Sequence, residues 1–209
     1  MLWMSNIINT RAKTAKDEDL KYVTLCQKGD TESFDVLVER HQKKMLNIAY
    51  RMIGDYDEAC DVTQEAFVAA FKSIRQFKAE AKFSTWLYRI VVNYSKNRLK
   101  QLSGRSRREG FSIDATGGRN ADQLSDQGMS QESNPGVQME KREREAYVQK
   151  CINTLDAEHR DVLILRDIQG FSYEEISAIL KVPDGTVKSR LSRARNALKN
   201  CLQKVIGDL

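Results

Sequence analysis

The residues of this chain best equipped to do chemistry are cations near its C-terminal end. Lys188, Arg190, Arg193, Arg195, Lys199 and Lys204 follow one another with no acidic residue between Asp184 and Asp208. Charge that one-sided suits a polyanion. Arg and Lys side chains can bridge the O6 and N7 acceptors of guanine in the DNA major groove, and a serine hydroxyl can donate or accept there. Ser189 and Ser192 alternate with the cations. Metal chemistry has much less to work with. His41 and His159 are the two histidines, far apart and with no cysteine pair nearby, so zinc-ligand spacing is missing and no metal or other cofactor is expected. No nucleophile stands beside a plausible activating partner, so no catalytic residue is assigned and the chain is not expected to be an enzyme.

The elements that would position these cations can be read locally. Ser172 and Glu175 have the spacing of a capping box, which starts a helix that stops near Leu180. Lys181-Val182-Pro183-Asp184-Gly185 reads as a turn, because Pro183 removes a backbone donor and Gly185 tolerates positive φ. In the helix that follows, Val187, Leu191, Ala194, Leu198, Leu202 and Val205 recur at three- and four-residue spacing and form one apolar stripe. Lys188, Ser189, Ser192, Arg193 and Asn196 then point away from it. Helix, tight turn and basic helix make a helix-turn-helix, whose second helix enters the major groove with its N-terminal residues foremost.

A second basic stripe lies upstream. In the segment from Phe83 to Leu102, Phe83, Leu87, Ile90, Val91 and Tyr94 make an apolar face. Lys82, Trp86, Arg89, Asn93, Lys96 and Lys100 climb another side. Cations that follow phosphates, a ring that stacks on an unpaired base and an amide that meets a base edge suit single-stranded DNA. The alternative is that Trp86 belongs to a broad core face and the cations are solvated. A third feature is acidic: Asp61 and Glu65, four residues apart, share a helix face in a chain of net charge +5.

The chain's 209 residues, 41% hydrophobic and 30% charged, suit one or two small domains. Four helices are expected in the first half, over 17–28, 31–52, 55–74 and 83–102, with Gly29 and Gly54 at joints. Helices over 140–154 and 156–169 open the second, the latter ended by Gly170. Between them, Ser103 to about Val137 is rich in Gly, Ser, Asn, Gln and Asp and reads as a flexible linker. The expected fold is all-α: two small helical domains, over 17–103 and 139–206, joined through 104–138. Cys26, Cys60, Cys151 and Cys201 are isolated in sequence and are expected to be buried reduced thiols, with a redox sensor as the lesser alternative. The apolar run Met1-Leu2-Trp3-Met4 is too short for a signal peptide, and no segment is long and apolar enough to span a membrane, which favours the cytoplasm.

Three segments together resemble one family. Asp61-Val62-Thr63-Gln64-Glu65-Ala66-Phe67, Phe83-Ser84-Thr85-Trp86-Leu87-Tyr88-Arg89-Ile90-Val91-Val92-Asn93 and Gly185-Thr186-Val187-Lys188-Ser189-Arg190-Leu191-Ser192-Arg193-Ala194-Arg195 look like a bacterial RNA polymerase sigma factor of the extracytoplasmic-function (ECF) group, of the envelope-stress type. The resemblance runs from about Asp17 to Val205, the linker excepted.

The resemblance implies that region 2, the first module, binds core RNA polymerase and melts and reads the −10 promoter element, while region 4, the second, reads the −35 element. Asp61, Gln64 and Glu65 match the polymerase-binding motif, which would meet the beta-prime clamp helices, with the beta subunit as a further partner. Lys82, Trp86, Arg89, Asn93 and Lys96 match the helix that follows the melted −10 strand. Lys188, Ser189, Ser192 and Arg193 match the −35 base-reading positions, with Thr186, Arg190 and Arg195 assigned to phosphate contact or local structure. The family's base-capturing loop reads here Lys78-Ala79-Glu80-Ala81-Lys82, without the glycine and aspartate expected at Ala79 and Glu80. Leu155-Asp156 stands where the family has leucine and proline, and Asp156 is expected to cap the next helix. An anti-sigma factor is an expected partner.

Two rival functions fit less of the chain. A dimeric helix-turn-helix repressor or activator accounts for Gly170 to Leu202 but gives the acidic patch and the Trp86 stripe no task. A DNA recombinase with a C-terminal helix-turn-helix would need a catalytic domain that these helices do not suggest.

Overall fold

The computed structural model describes the backbone over residues 18–109 and 135–207, and side chains over 18–105 and 143–204. Among these residues the protein is all helix. The order is α1 (Leu20–Gln27), α2 (Glu32–Ile53), α3 (Tyr56–Ser73), α4 (Phe83–Glu109), α5 (Pro135–Asn153), α6 (Ala157–Leu163), α7 (Tyr173–Leu180) and α8 (Asp184–Gly207).

Local signals account for most boundaries. The Asp30 carboxylate accepts from the Glu32 and Ser33 amides at 3.0 and 3.3 Å and so starts α2. Gly54 ends it in the left-handed region, at φ +86°. Asp55 then accepts from the Glu58 amide at 2.9 Å and starts α3. Small buried residues on α3, Ala59, Ala66 and Ala70, let α2, α3 and α4 approach one another closely, and α1 lies across α2. Phe83, Leu87, Tyr88, Val91 and Val92 of α4 fill the space between them.

In the second half, α6 is followed by a widened π turn over Ile164–Ile168 rather than continuing as the one helix expected over 156–169. Val162, Leu163, Ile164 and Leu165 are all buried in succession, which no single helical stripe allows. The element is enclosed on several sides, by α7, α8 and α2. Asp156 stands at the start of α6 but makes no side-chain capping bond; its carboxylate lies 3.5 Å from His159 Nδ1 instead.

Three further expectations need revision. Gly185 lies inside α8 without positive φ; the left-handed residue of the turn is Lys181, at φ +56°. Helix α4 continues to Glu109 and α5 begins at Pro135, both within the stretch assigned to the linker; the rest of that stretch, 110–134, lies outside the described residues. Cys151 and Cys201 are not separate thiols but a disulfide, with Cα atoms 5.7 Å apart. Packing of α5 on α8 brings together two cysteines 50 residues apart, which spacing along the chain could not reveal. Cys26 and Cys60 are free.

The two halves share one continuous core. Tyr88 of α4 meets Phe171 at a ring separation of 5.2 Å, and the Lys44 ammonium sits 4.2 Å over the Phe171 ring. Around this contact the bonds are polar. Arg160 donates to the Met52 carbonyl at 3.1 Å, Gln149 to the Arg51 carbonyl at 3.1 Å, and Gln169 to Asn47 Oδ1 at 3.1 Å.

Candidate nucleic-acid and polymerase interfaces

Helix α8 is anchored by the stripe its sequence shows. Val187, Leu191 and Ala194 are buried, and Leu198 and Leu202 are partly buried. Its start is aimed by the turn before it. Ser172 and Glu175 form the full capping box of α7, with the Glu175 amide 3.2 Å from Ser172 Oγ and the Ser172 amide 3.0 Å from Glu175 Oε2. The Ser177 hydroxyl donates to the Val182 carbonyl at 2.6 Å and ties the turn back to α7.

On the opposite side, Lys188, Ser189, Ser192, Arg193 and Asn196 are all exposed. Arg193 has its whole fork available to a groove. Arg190 and Arg195 are placed differently: Arg190 Nη2 lies 2.6 Å from Glu158, and Arg195 holds Asp167 with two bonds of 2.9 and 2.6 Å. Of the two roles open to them from sequence, local structure is the one their bonds serve here. Thr186 is half-buried at the first turn, and its carbonyl accepts from the Ser189 hydroxyl at 3.0 Å.

Helix α4 carries its basic stripe in another setting. Trp86 is half-buried, with its ring 5.2 Å from Phe77 and 5.6 Å from Phe83. The cations beside it are met by the second half of the molecule. Lys82 Nζ lies 3.6 Å from Glu175, Arg89 donates to the Ala178 carbonyl at 2.8 Å, and Lys96 Nζ lies 2.7 Å from Asp161 Oδ2. Asn93 stays exposed. Burial pushes the Asp161 carboxyl above the ordinary carboxylate range against the pull of Lys96. The fit is incomplete, since Arg51, Arg89 and Arg160 each bury an Nε with no partner within the protein.

The segment ahead of α4 bears on the missing glycine. Ala79 adopts φ +55°, in the left-handed region where glycine is favoured. The backbone therefore adopts a conformation that glycine takes freely, with an alanine in it.

The acidic patch on α3 is exposed at Asp61, Gln64 and Glu65. Arg98 of α4 lies beneath it. Its guanidinium donates to Glu58 and, at 2.8 Å, to Glu65 Oε1, and lies 4.0 Å from Asp61. The bond to Glu58 holds the guanidinium charged even more firmly than usual. Val68 and Phe71, exposed large apolar residues on the same helix, extend the patch. Sequence reasoning missed Arg98, Val68 and Phe71. The signal for the last two was available, because Val68 is three residues beyond Glu65 and Phe71 seven beyond Gln64. Buried His41, between Asp19 and Tyr88 at 2.8 Å each, was also missed; it locks α2 to α4 and to the turn before α1. Among the described residues, no group of three or more His, Cys, Asp or Glu side chains could hold a metal ion, and no helix is long and apolar enough to cross a membrane.

The family model for Sigma-70 region 2 matches residues 37–105, and the model for Sigma-70 region 4 matches residues 138–198. The RNA polymerase sigma-H factor of Pseudomonas aeruginosa is 37% identical over 191 residues, covering 91% of this chain and 97% of that relative. The ECF RNA polymerase sigma-E factor of Escherichia coli is 39% identical over 189 residues, covering 90% and 96%. Among solved structures, CnrH in complex with the cytosolic domain of CnrY has a similar fold, with a TM-score of 0.64 at 23% identity over 90% of this chain and 99% of that one. The sigma factor RpoE of Bartonella quintana, in complex with the anti-sigma factor NepR, gives a TM-score of 0.61 at 25% identity over 83% and 98%.

Proposed function

The chain belongs to the extracytoplasmic-function sigma factors of bacterial RNA polymerase, and from that premise we propose how its surfaces divide the work of finding and opening a promoter. Region 2, over 17–103, docks on core polymerase through Asp61, Gln64 and Glu65, with Val68 and Phe71 adding apolar area at the edge. The beta-prime clamp helices are the expected contact, with the beta subunit beyond them. Region 4, over 139–206, reads the −35 element as duplex through Lys188, Ser189, Ser192 and Arg193. The observation that carries this is the open face of α8: Val187, Leu191 and Ala194 of its apolar stripe are buried and every base-reading candidate is exposed. The protein itself catalyses no reaction. It works in the cytoplasm, where its polymerase is.

Region 2 reads and melts the −10 element through Lys82, Trp86, Arg89, Asn93 and Lys96. Because Lys82, Arg89 and Lys96 are held by region 4 here, these cations are released to DNA only when the two regions part. Core polymerase, which must hold them at separate promoter elements, supplies the occasion. An anti-sigma factor is the natural antagonist, since the similar sigma factor RpoE was solved in complex with the anti-sigma factor NepR.

Reconstitution tests the whole reading. The protein mixed with purified core polymerase should form a stable complex and yield transcripts only from templates carrying its promoter. Duplex binding as a free dimer, with no polymerase complex, would favour the repressor reading and overturn this one.

A further inference from the structure

The Cys151–Cys201 pair stands apart from the DNA and polymerase surfaces. Cys151 is buried on α5, whereas Cys201 is partly exposed near the end of α8. The two are joined across 50 residues of chain. Cys26 and Cys60 lie on α1 and α3 outside any disulfide, and burial pushes the Cys26 thiol up, away from reactivity.

We propose that Cys151 and Cys201 form a reversible thiol–disulfide site, through which small monothiols of the glutathione class set the rigidity of region 4. The proposal rests on the sigma-factor reading in one respect: it places the chain in a reducing compartment, where a lasting structural disulfide is rare and a reversible one is the usual kind.

Three observations support the site. The first is access, which is one-sided. A small thiolate can reach the Cys201 sulfur but not the enclosed Cys151. Attack at Cys201 forms a mixed disulfide and releases Cys151 as the leaving thiolate, which takes up a proton. A second monothiol then attacks the mixed disulfide, freeing the Cys201 thiol and leaving the monothiol oxidised to its own disulfide. Overall, one protein disulfide and two monothiols become two protein thiols and one small disulfide, and oxidation runs the same steps backwards. The second observation is charge. Lys204, three residues beyond Cys201 and on the same side of α8, is exposed, so the entrance draws anionic thiols.

The third is mechanical. Beyond Ala194, α8 has no fully buried anchor among the described residues, only the half-buried Leu198 and Leu202 and the bond to Cys151. At its other end the bond reaches the part of α5 that touches region 2. Gln149 bonds both to Arg51 and to Asn153, and the Asn153 side chain abuts Gly54 so closely that a Cβ there would lie 2.5 Å from it. Reduction therefore loosens the last turns of α8 and the seat of α5 on region 2 together. Lys188 to Arg193, at the opposite end of α8, keep their places.

The test uses the full chain alone, so it stands whether or not the polymerase reading does. The protein is equilibrated in glutathione buffers from reducing to oxidising ratios, acid-quenched and alkylated, and each cysteine is quantified by peptide mass spectrometry. Thermal unfolding is followed in parallel. The pair should titrate between dithiol and disulfide while Cys26 and Cys60 stay alkylatable. The oxidised form should unfold on the order of 10 °C higher, as expected for a strap across a small domain. Cys201→Ser, at the half-exposed position, should unfold like the reduced protein at every ratio, and Cys151→Ala should match it without placing a hydroxyl in the core. Thiols free at all ratios would overturn the site. A bond that survives the most reducing buffer in the native protein would overturn its reversibility, and a bond formed with no change in unfolding would overturn its mechanical role.

Discussion

Helices α4 and α8 look alike in sequence and differ in the folded chain. Each is long and basic, each carries one apolar stripe, and each is preceded by a non-glycine residue in the left-handed region, Ala79 at φ +55° and Lys181 at φ +56°. Yet the polar face of α8 is open, while on that of α4 the cations Lys82, Arg89 and Lys96 are engaged by α6 and α7, with Asn93 left exposed. Periodicity assigns the faces of a helix; it does not say what else in the chain will lie against them. The difference matches the order of events in initiation. Duplex can be read on first encounter, but unpaired bases exist only after opening, so a face that serves the second step can stay covered through the first.

The largest effect should come from what the two helices share. Leu87 of α4 and Leu191 of α8 are both buried, so Leu87→Ala and Leu191→Ala should each cost about 2–5 kcal/mol of stability by chemical denaturation. Near-wild-type stability for either would mean that its stripe is not the anchor.

DNA should then separate them. Arg193→Ala should cost about 1–3 kcal/mol at the preferred base and relax choice there, on fully paired and pre-melted promoters alike. Trp86→Ala should spare closed-complex binding and reduce permanganate-detected opening of paired DNA, because stacking on an extruded base is worth about 1–3 kcal/mol. Since Trp86 also packs on Phe77 and Phe83, some thermal stability should be lost as well. Equal impairment on both templates would leave it a core residue alone. Arg195→Ala, whose guanidinium is bonded to Asp167, should leave base preference unchanged.

Smaller effects probe the turns. Ala79→Gly should raise stability by about 1 kcal/mol by relieving left-handed strain, and transcription from promoters varied at the −10 element would show whether the alanine also sets base preference. A loss of stability would mean that the segment is not strained.

The smallest concerns the covered face itself. Asp161→Asn removes the ionic partner of Lys96, in a pair whose ammonium is half-exposed and whose carboxylate is buried, so the cost of desolvating the carboxylate offsets much of the attraction. Burial raises the Asp161 carboxyl above 3.8, so the folded chain holds that proton more tightly than the unfolded chain. Its contribution is complete below 3.8 and is lost as pH rises through the raised value. The variant should therefore be as stable as wild type at neutral pH or more so, with a flatter profile just above 3.8, while a spectroscopic ruler between the regions reports more opening. An unchanged distance distribution would show that the Lys96 pair does not hold the regions together.

Much of this was legible in the chain. The capping box of Ser172 and Glu175, the stripe from Val187 to Leu202 and the glycine stops at Gly29, Gly54 and Gly170 are local, because helix starts, faces and ends are decided by residues within one or two turns. Even the unusual backbone at Ala79 was foreshadowed by the glycine expected there. The pairing of Cys151 with Cys201, the Arg98 fork beneath Glu58 and Glu65, and the capture of Lys82, Arg89 and Lys96 by region 4 were not legible. Each joins residues tens of positions apart on different helices, and their proximity is fixed by how those helices pack. Sequence by itself determined which helices form, which way they face and what polyanion they suit. Only the tertiary structure decided which of those faces is free, because access depends on the opposing surface, and no periodicity within one helix encodes the helix that will cover it.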